Sequence, residues 1–132
     1  MQFKNKLSNL NKLYIFFFSI VLIINIISIS TSSASTFKIK DLEISEPFDV
    51  NFNKEKVINK AFREAFIELI SMITTSSDQK KIKNTHISTI KSLVDSFTMS
   101  KERFVNNLYI VNFDVNFNKK NTLQFFEKKN IF

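Results

Sequence analysis

Tyr109–Phe117 reads YIVNFDVNF. Its apolar positions Tyr109, Val111, Phe113, Val115 and Phe117 alternate with Ile110, Asn112, Asp114 and Asn116. Successive side chains of a strand point to opposite faces, so this stretch has one apolar face and one rich in amides and acid. It predicts an antiparallel strand, Leu108–Phe117, with a buried and a wet side. Ahead of it Asn106-Asn107 suits a turn, and Phe97–Phe104 reads as a neighbouring strand with a bend at Ser100–Arg103. Phe37–Ile44 (FKIKDLEI) is a third strand with imperfect alternation. Phe37, Ile39, Asp41 and Glu43 fall on one side, and Lys38, Lys40, Leu42 and Ile44 on the other. Ser45-Glu46-Pro47, with the only proline, breaks it, and Phe48–Phe52 is a short extended piece.

Elsewhere the period lengthens. Asn53 is placed to cap a helix over Lys54–Ile73, where Ile58, Ala61, Phe62, Ala65, Phe66 and Leu69 recur at three- and four-residue steps. Such a face needs a sheet or another helix to cover it. Thr74–Asp78 reads as a polar turn, Gln79–Lys83 as a loop or short helix, and Ser88–Asp95 as a second helix. Asn118 or Asn121 caps a last one carrying Leu123, Phe125 and Phe126. The pattern predicts one small α+β domain over residues 36–132. Its antiparallel sheet (Phe37–Ile44, Phe97–Phe104, Leu108–Phe117) packs against two to three helices, Lys54–Ile73 covering one face. The seven residues FDVNFNK occur at Phe48–Lys54 and at Phe113–Lys119, both ahead of helices, and are read as coincidence before duplication.

Residues 1–35 have a different character. Lys4, Lys6 and Lys12 precede the uncharged apolar run Leu13–Ser30, and small residues follow at Thr31–Ser35. This is the order of an export signal. Ser32 with Ala34, or Ser33 with Ser35, supplies the small side chains that signal peptidase requires, so cleavage is expected after Ala34 or Ser35. The 18 residues of the run are close to the length of a membrane span, so an uncleaved single-pass anchor is the alternative. Lysines held inside put the body outside in both cases, in the periplasm or on the periplasmic face of the inner membrane.

The chain is 132 residues long with net charge +7, but the body after residue 35 holds sixteen basic and twelve acidic residues, a weak basis for nucleic-acid binding. No cysteine is present, which excludes disulfides, thiolate metal sites and lipoprotein acylation. There is no glycine either, so phosphate-cradling loops and nucleophile elbows of the usual kind are absent. The sixteen phenylalanines are read as compositional drift first and as an aromatic binding surface second.

His86 is the only histidine, and as a surface or capping residue it needs no metal. Glu64 and Glu68 share a helix face but read as its solvated side, and Lys80-Lys81-Ile82-Lys83 as a solvated basic cluster. Glu102 and Arg103 are adjacent and placed to pair locally. No catalytic, cofactor-binding or metal-binding residue is assigned, and no cofactor is expected.

The order of elements, with particular residues, resembles an uncharacterised proteobacterial envelope family, domain of unknown function 2066. Lys60–Phe66 (KAFREAF) is similar to that family's A-R-x-x-A-L helix, with Phe62 where alanine is usual beside Arg63. Leu93–Phe97, Glu102, Leu108–Asn116 and Leu123–Phe126 are similar to its later packing positions. The resemblance implies an exported protein whose chain continues beyond Phe132, and it carries no catalytic residues.

These readings converge on a non-catalytic envelope protein, a protein-binding or assembly module, or alternatively a membrane-anchored structural protein. A membrane contact through Leu13–Ser30 if uncleaved, an envelope protein partner and a homo-oligomer are the expected associations. Tyr109–Phe117 or Phe97–Phe104 is expected to be a sheet edge that a partner completes. The apolar residues Phe125, Phe126, Ile131 and Phe132 read as the end of an interrupted module.

Overall fold

A computed structural model describes residues 35–131, and the alternating stretch lies at the middle of its sheet. Strand β3 (Leu108–Asn118) pairs antiparallel with β1 (Thr36–Pro47) on one side and β2 (Val94–Val105) on the other. Tyr109, Val111, Phe113, Val115 and Phe117 are each no more than 2% exposed. Of the two strands expected to be an edge, Tyr109–Phe117 is therefore central and Phe97–Phe104, within β2, is at the edge. β3 is paired along both sides, and β1 and β2 are the edges.

The irregular alternation of β1 has a physical cause. Ile39 pairs with Val115 and Leu42 with Phe113, so Lys40 and Asp41 together oppose Asp114. This bulge shifts the phase by one, and Ile39, Leu42 and Ile44 all reach the core. Glu43 thus parts company with Ile39, contrary to a simple reading of period two. Asp41 takes a left-handed backbone (φ 53°) and donates its N–H to Asp114 Oδ1 at 3.0 Å. The strand also runs on to Pro47 instead of ending at Ile44, which an edge position permits.

β2 skips register twice, between Val94 and Ser96 and between Ser100 and Arg103, where Lys101 is left-handed (φ 53°). It begins one residue after its preceding helix, so Val94 and Asp95 belong to the strand. Asn106 and Asn107, at φ 50° and 60°, join Val105 to Leu108 in a two-residue hairpin with both central residues left-handed.

Four helices complete the described residues: α1 (Lys54–Ile73), α2 (Ser76–Ile82), α3 (Ile87–Leu93) and α4 (Lys119–Lys128). Asn53 caps α1, its Oδ1 accepting from Glu55 N–H at 2.8 Å. The apolar side of α1 lies on the sheet, with Phe66 6.4 Å from Phe117 and Phe62 5.1 Å from Phe97 between ring centroids. The expected turn Thr74–Asp78 is shortened because Thr75 caps α2.

Asn118 caps α4. That helix ends with Asn130 N–H on the Glu127 carbonyl and Ile131 N–H on that of Phe126, Asn130 being left-handed (φ 53°). This is a Schellman closure, and it folds Ile131 back into the core with Phe126. Phe126 and Ile131 accordingly pack inside, and Phe132 lies outside the described residues.

FDVNFNK shows how far context governs. In both copies the Asn before Lys caps a helix, yet Phe113–Asn118 is strand while Phe48–Phe52 is a turn. The expected apolar run Leu13–Ser30 and Ala34 lie outside the described residues. No helix among the described residues is long and apolar enough to cross a membrane.

Two substitutions test this account. Phe66→Ala should cost about 3–5 kcal/mol and leave so small a domain largely unfolded by circular dichroism. Asn107→Ala should cost about 1 kcal/mol through its left-handed backbone, whereas Asn107→Gly should cost nothing. Equal stability of these two Asn107 variants in urea titration would reject the hairpin conformation.

Candidate functional site

At the end of the sheet where β1 finishes and the β2–β3 hairpin turns, four aromatic rings form a closed circuit. Phe48 lies 4.8 Å from both Phe52 and Phe104, and Tyr109 lies 5.1 Å from Phe52 and 5.2 Å from Phe104. The separations are those of favourable tilted and edge-on ring contacts. Tyr109 is in the core, but Phe104 is 62% exposed, Phe48 48% and Val50 fully. Val105 and Leu108 extend the apolar surface around the hairpin.

The loop bearing Phe48 and Val50 is held in place. Phe48 N–H donates to the Asn107 carbonyl at 2.8 Å, pinning the loop to the hairpin turn. Asp49 Oδ1 accepts from Asn51 N–H at 2.8 Å, and the Asp49 carbonyl accepts from Phe52 N–H. One residue further on, Asn53 starts α1. The expected extended piece is thus a pinned turn that projects Val50.

Tyr109 also joins a polar group with Glu102 and Lys54. Tyr109 Oη donates to Glu102 Oε2 at 2.5 Å, and Lys54 Nζ reaches the same oxygen at 3.1 Å while standing 6.0 Å over the Tyr109 ring. The Tyr109 hydrogen bond, then Lys54, holds the Glu102 carboxyl below its ordinary value. Burial, then the Glu102 carboxylate, pushes the Tyr109 phenol well above its own. Tyr109 is therefore a fixed donor and a poor source of phenolate.

The structure distributes the other candidate residues. Glu102 and Arg103 do not pair locally: Glu102 meets Tyr109 and Lys54 while Arg103 Nη2 bonds Glu43 at 2.7 Å across β3, as neighbours in a strand point to opposite faces. His86 caps α3, its Nδ1 accepting from Ser88 N–H. No cluster of three metal-binding side chains occurs among the described residues. Glu64 and Glu68 lie on α1 without a salt bridge among the described residues, and Lys81 pairs with Asp78 at 2.7 Å. Of the two proposed cut-site residues only Ser35 is described, and its carbonyl accepts the N–H of Lys119 at 3.1 Å.

Reading the phenylalanines as drift missed the tip. The available signal was position: Phe104-Val105 and Leu108 flank a hairpin turn, where solvent-facing polar residues are usual. Comparison of the chain with family models, with curated proteins and with solved structures finds no match.

Tyr109→Phe should lower stability at neutral pH, as the hydrogen bond to the Glu102 carboxylate is lost. Glu102 titrates lower folded than unfolded, so its contribution is complete above 4.5 and fades as pH falls through the folded value. Tyr109 titrates higher folded, so its contribution is complete below 10.0 and is lost as pH rises through the folded value. The gap between the two proteins in thermal melts should close at both extremes. A gap independent of pH would reject the coupling.

Proposed function

We propose that the chain is an exported, non-catalytic module of the cell envelope that binds a protein partner through the aromatic tip. The observation that carries this reading is the exposed apolar surface of Phe48, Val50, Phe104, Val105 and Leu108, held on a pinned loop and hairpin. Monomeric folds seldom leave so many large apolar side chains together at the surface, and rigidity lowers the entropy lost on docking.

The export segment belongs to the same proposal, as does the likeness to domain of unknown function 2066, which rests on the packing residues quoted above. Cleavage after Ala34 fits best. It retains Ser35, whose carbonyl meets Lys119 N–H at the first turn of α4, where that donor has no partner within the helix. The 18-residue length of Leu13–Ser30 favours the second reading, a retained single-pass anchor.

Intact mass and N-terminal sequencing of the protein from the envelope fraction should give a start at Ser35; a retained Met1 would select the anchor. A photo-crosslinker at Val50 in living cells should yield a discrete protein adduct that Phe104→Ser abolishes, while one at Lys40 yields none. Equal labelling from both positions, or none from Val50, would reject the tip as the docking surface.

A further inference from the structure

The two edges of the sheet are not equivalent. On β1 the Lys60 ammonium reaches over from α1 to the Ser45 carbonyl at 3.1 Å and to the Glu46 carboxylate, and the bulge at Asp41 interrupts the strand. A carbonyl taken by a lysine is closed to a new strand. β2 has no pairing on its outer side among the described residues. Its irregularities fall near Asp95 and Lys101, and Ser96–Ser100 between them keeps regular register with β3.

Residues 95–101 read DSFTMSK. The segment is chemically palindromic about Thr98: serine stands two residues to either side, a large apolar residue one to either side, and opposite charges three to either side. We infer that β2 pairs antiparallel with β2 of a second copy of this chain, with Thr98 facing Thr98 on the two-fold axis. The pairing sets Ser96 against Ser100, Phe97 against Met99 and Asp95 against Lys101, each contact made twice because the interface is isologous.

The surroundings favour that occupant. Phe97 is 40% exposed although its ring packs on Phe62 and Phe113. It borders an open hollow of about 500 Å³ lined also by Phe62, Lys91 and Val94. The second copy's Met99 would stand opposite Phe97 and cover its exposed side. Asp95 has no salt bridge among the described residues. Among the described residues the Lys101 ammonium pairs with Asp41, at 3.2 Å with both side chains more than 60% exposed, a contact worth little.

Other registers are worse. Centring on Met99 sets Phe97 against Lys101, centring on Phe97 sets Asp95 against Met99, and a half-step slip turns one copy's apolar face to water. The result is a continuous six-stranded sheet with both helical layers on the same side. The aromatic tip takes no part in the pairing.

The chain lacks cysteine, so a single one reports cleanly. Paired residues in an antiparallel ladder have Cα atoms about 4.5–5.5 Å apart, within disulfide range. Full-length Thr98→Cys, in mild detergent with a gentle oxidant, should give a disulfide-linked dimer on a non-reducing gel. Lys40→Cys, on the other edge, should remain monomeric. By sedimentation equilibrium Asp95→Lys should weaken association about tenfold, two favourable cross-strand pairs becoming two unfavourable ones. Asp95→Lys with Lys101→Asp should restore it. Phe104→Ser in the Thr98→Cys background should leave the cross-link unchanged, which separates this interface from the tip. Failure of Thr98→Cys to cross-link while folded by circular dichroism, equal cross-linking through Lys40→Cys, failure of the charge exchange to restore association, or loss of the cross-link with Phe104→Ser would overturn the inference.

Discussion

The apolar face of β3 meets α1 where the Phe66 ring approaches Phe117, and the other contacts of the fold are arranged around that junction. Side chains alternating on one strand supply a continuous buried stripe from Tyr109 to Phe117, and the helix lays Ala61, Phe62, Ala65, Phe66 and Leu69 along the sheet. Neither surface is stable in water by itself, so each element depends on burial against the other. β1 and β2 then add Ile39, Ile44 and Met99 to the same layer, and α4 with the turn after it closes the layer through Phe126 and Ile131. Because the stripe is central, both flanks of β3 are used by the chain itself. Among the described residues β1 and β2 are the strands that present a free sheet edge.

A fold of this kind ordinarily relies on glycine wherever the backbone must turn left-handed, and this chain has none. Asp41 and Lys101 occupy the bulges, Asn106 and Asn107 the hairpin, and Asn130 the helix C-terminus. Asn and Asp tolerate this region better than other residues because their short polar side chains bond locally. Lys101 has no such help, and its position on an exposed edge limits what its strain must be balanced against. Local chemistry therefore follows the fold's geometric demands even with the usual residue missing.

The strand Tyr109–Phe117 and the helix Lys54–Ile73 were legible because each keeps one period long enough to exclude the other. The two-residue turn at Asn106-Asn107 and the caps at Asn53 and Asn118 were legible because a single side chain performs each task. Sheet order was not, since β3 carries the same alternation whether it is central or at an edge, and pairing partners leave no periodic trace. The bulges were visible as a broken pattern around Asp41 and as the bend at Ser100–Arg103, while the one near Asp95 left no trace. The tip was hidden because it is assembled from Phe48 and Phe104, 56 positions apart in the chain and joined by a backbone hydrogen bond at Asn107.

The tip and the β2 edge differ in what limits them. The tip is built of large side chains on short connections, so its value to a partner depends on shape and on apolar area, and a single aromatic replacement changes both. The edge is built of backbone, and any strand can supply the matching donors and acceptors. Its selectivity must come from the bulges that end the regular segment and from charges at the two ends of that segment. Sheet edges recruit unwanted partners unless such devices restrict them, and here the restriction itself has two-fold symmetry. A bulge near Asp95 and another at Lys101 exclude longer strands, while opposite charges at those same points admit a strand whose charges run the other way. An antiparallel copy of this chain meets that condition by its own sequence.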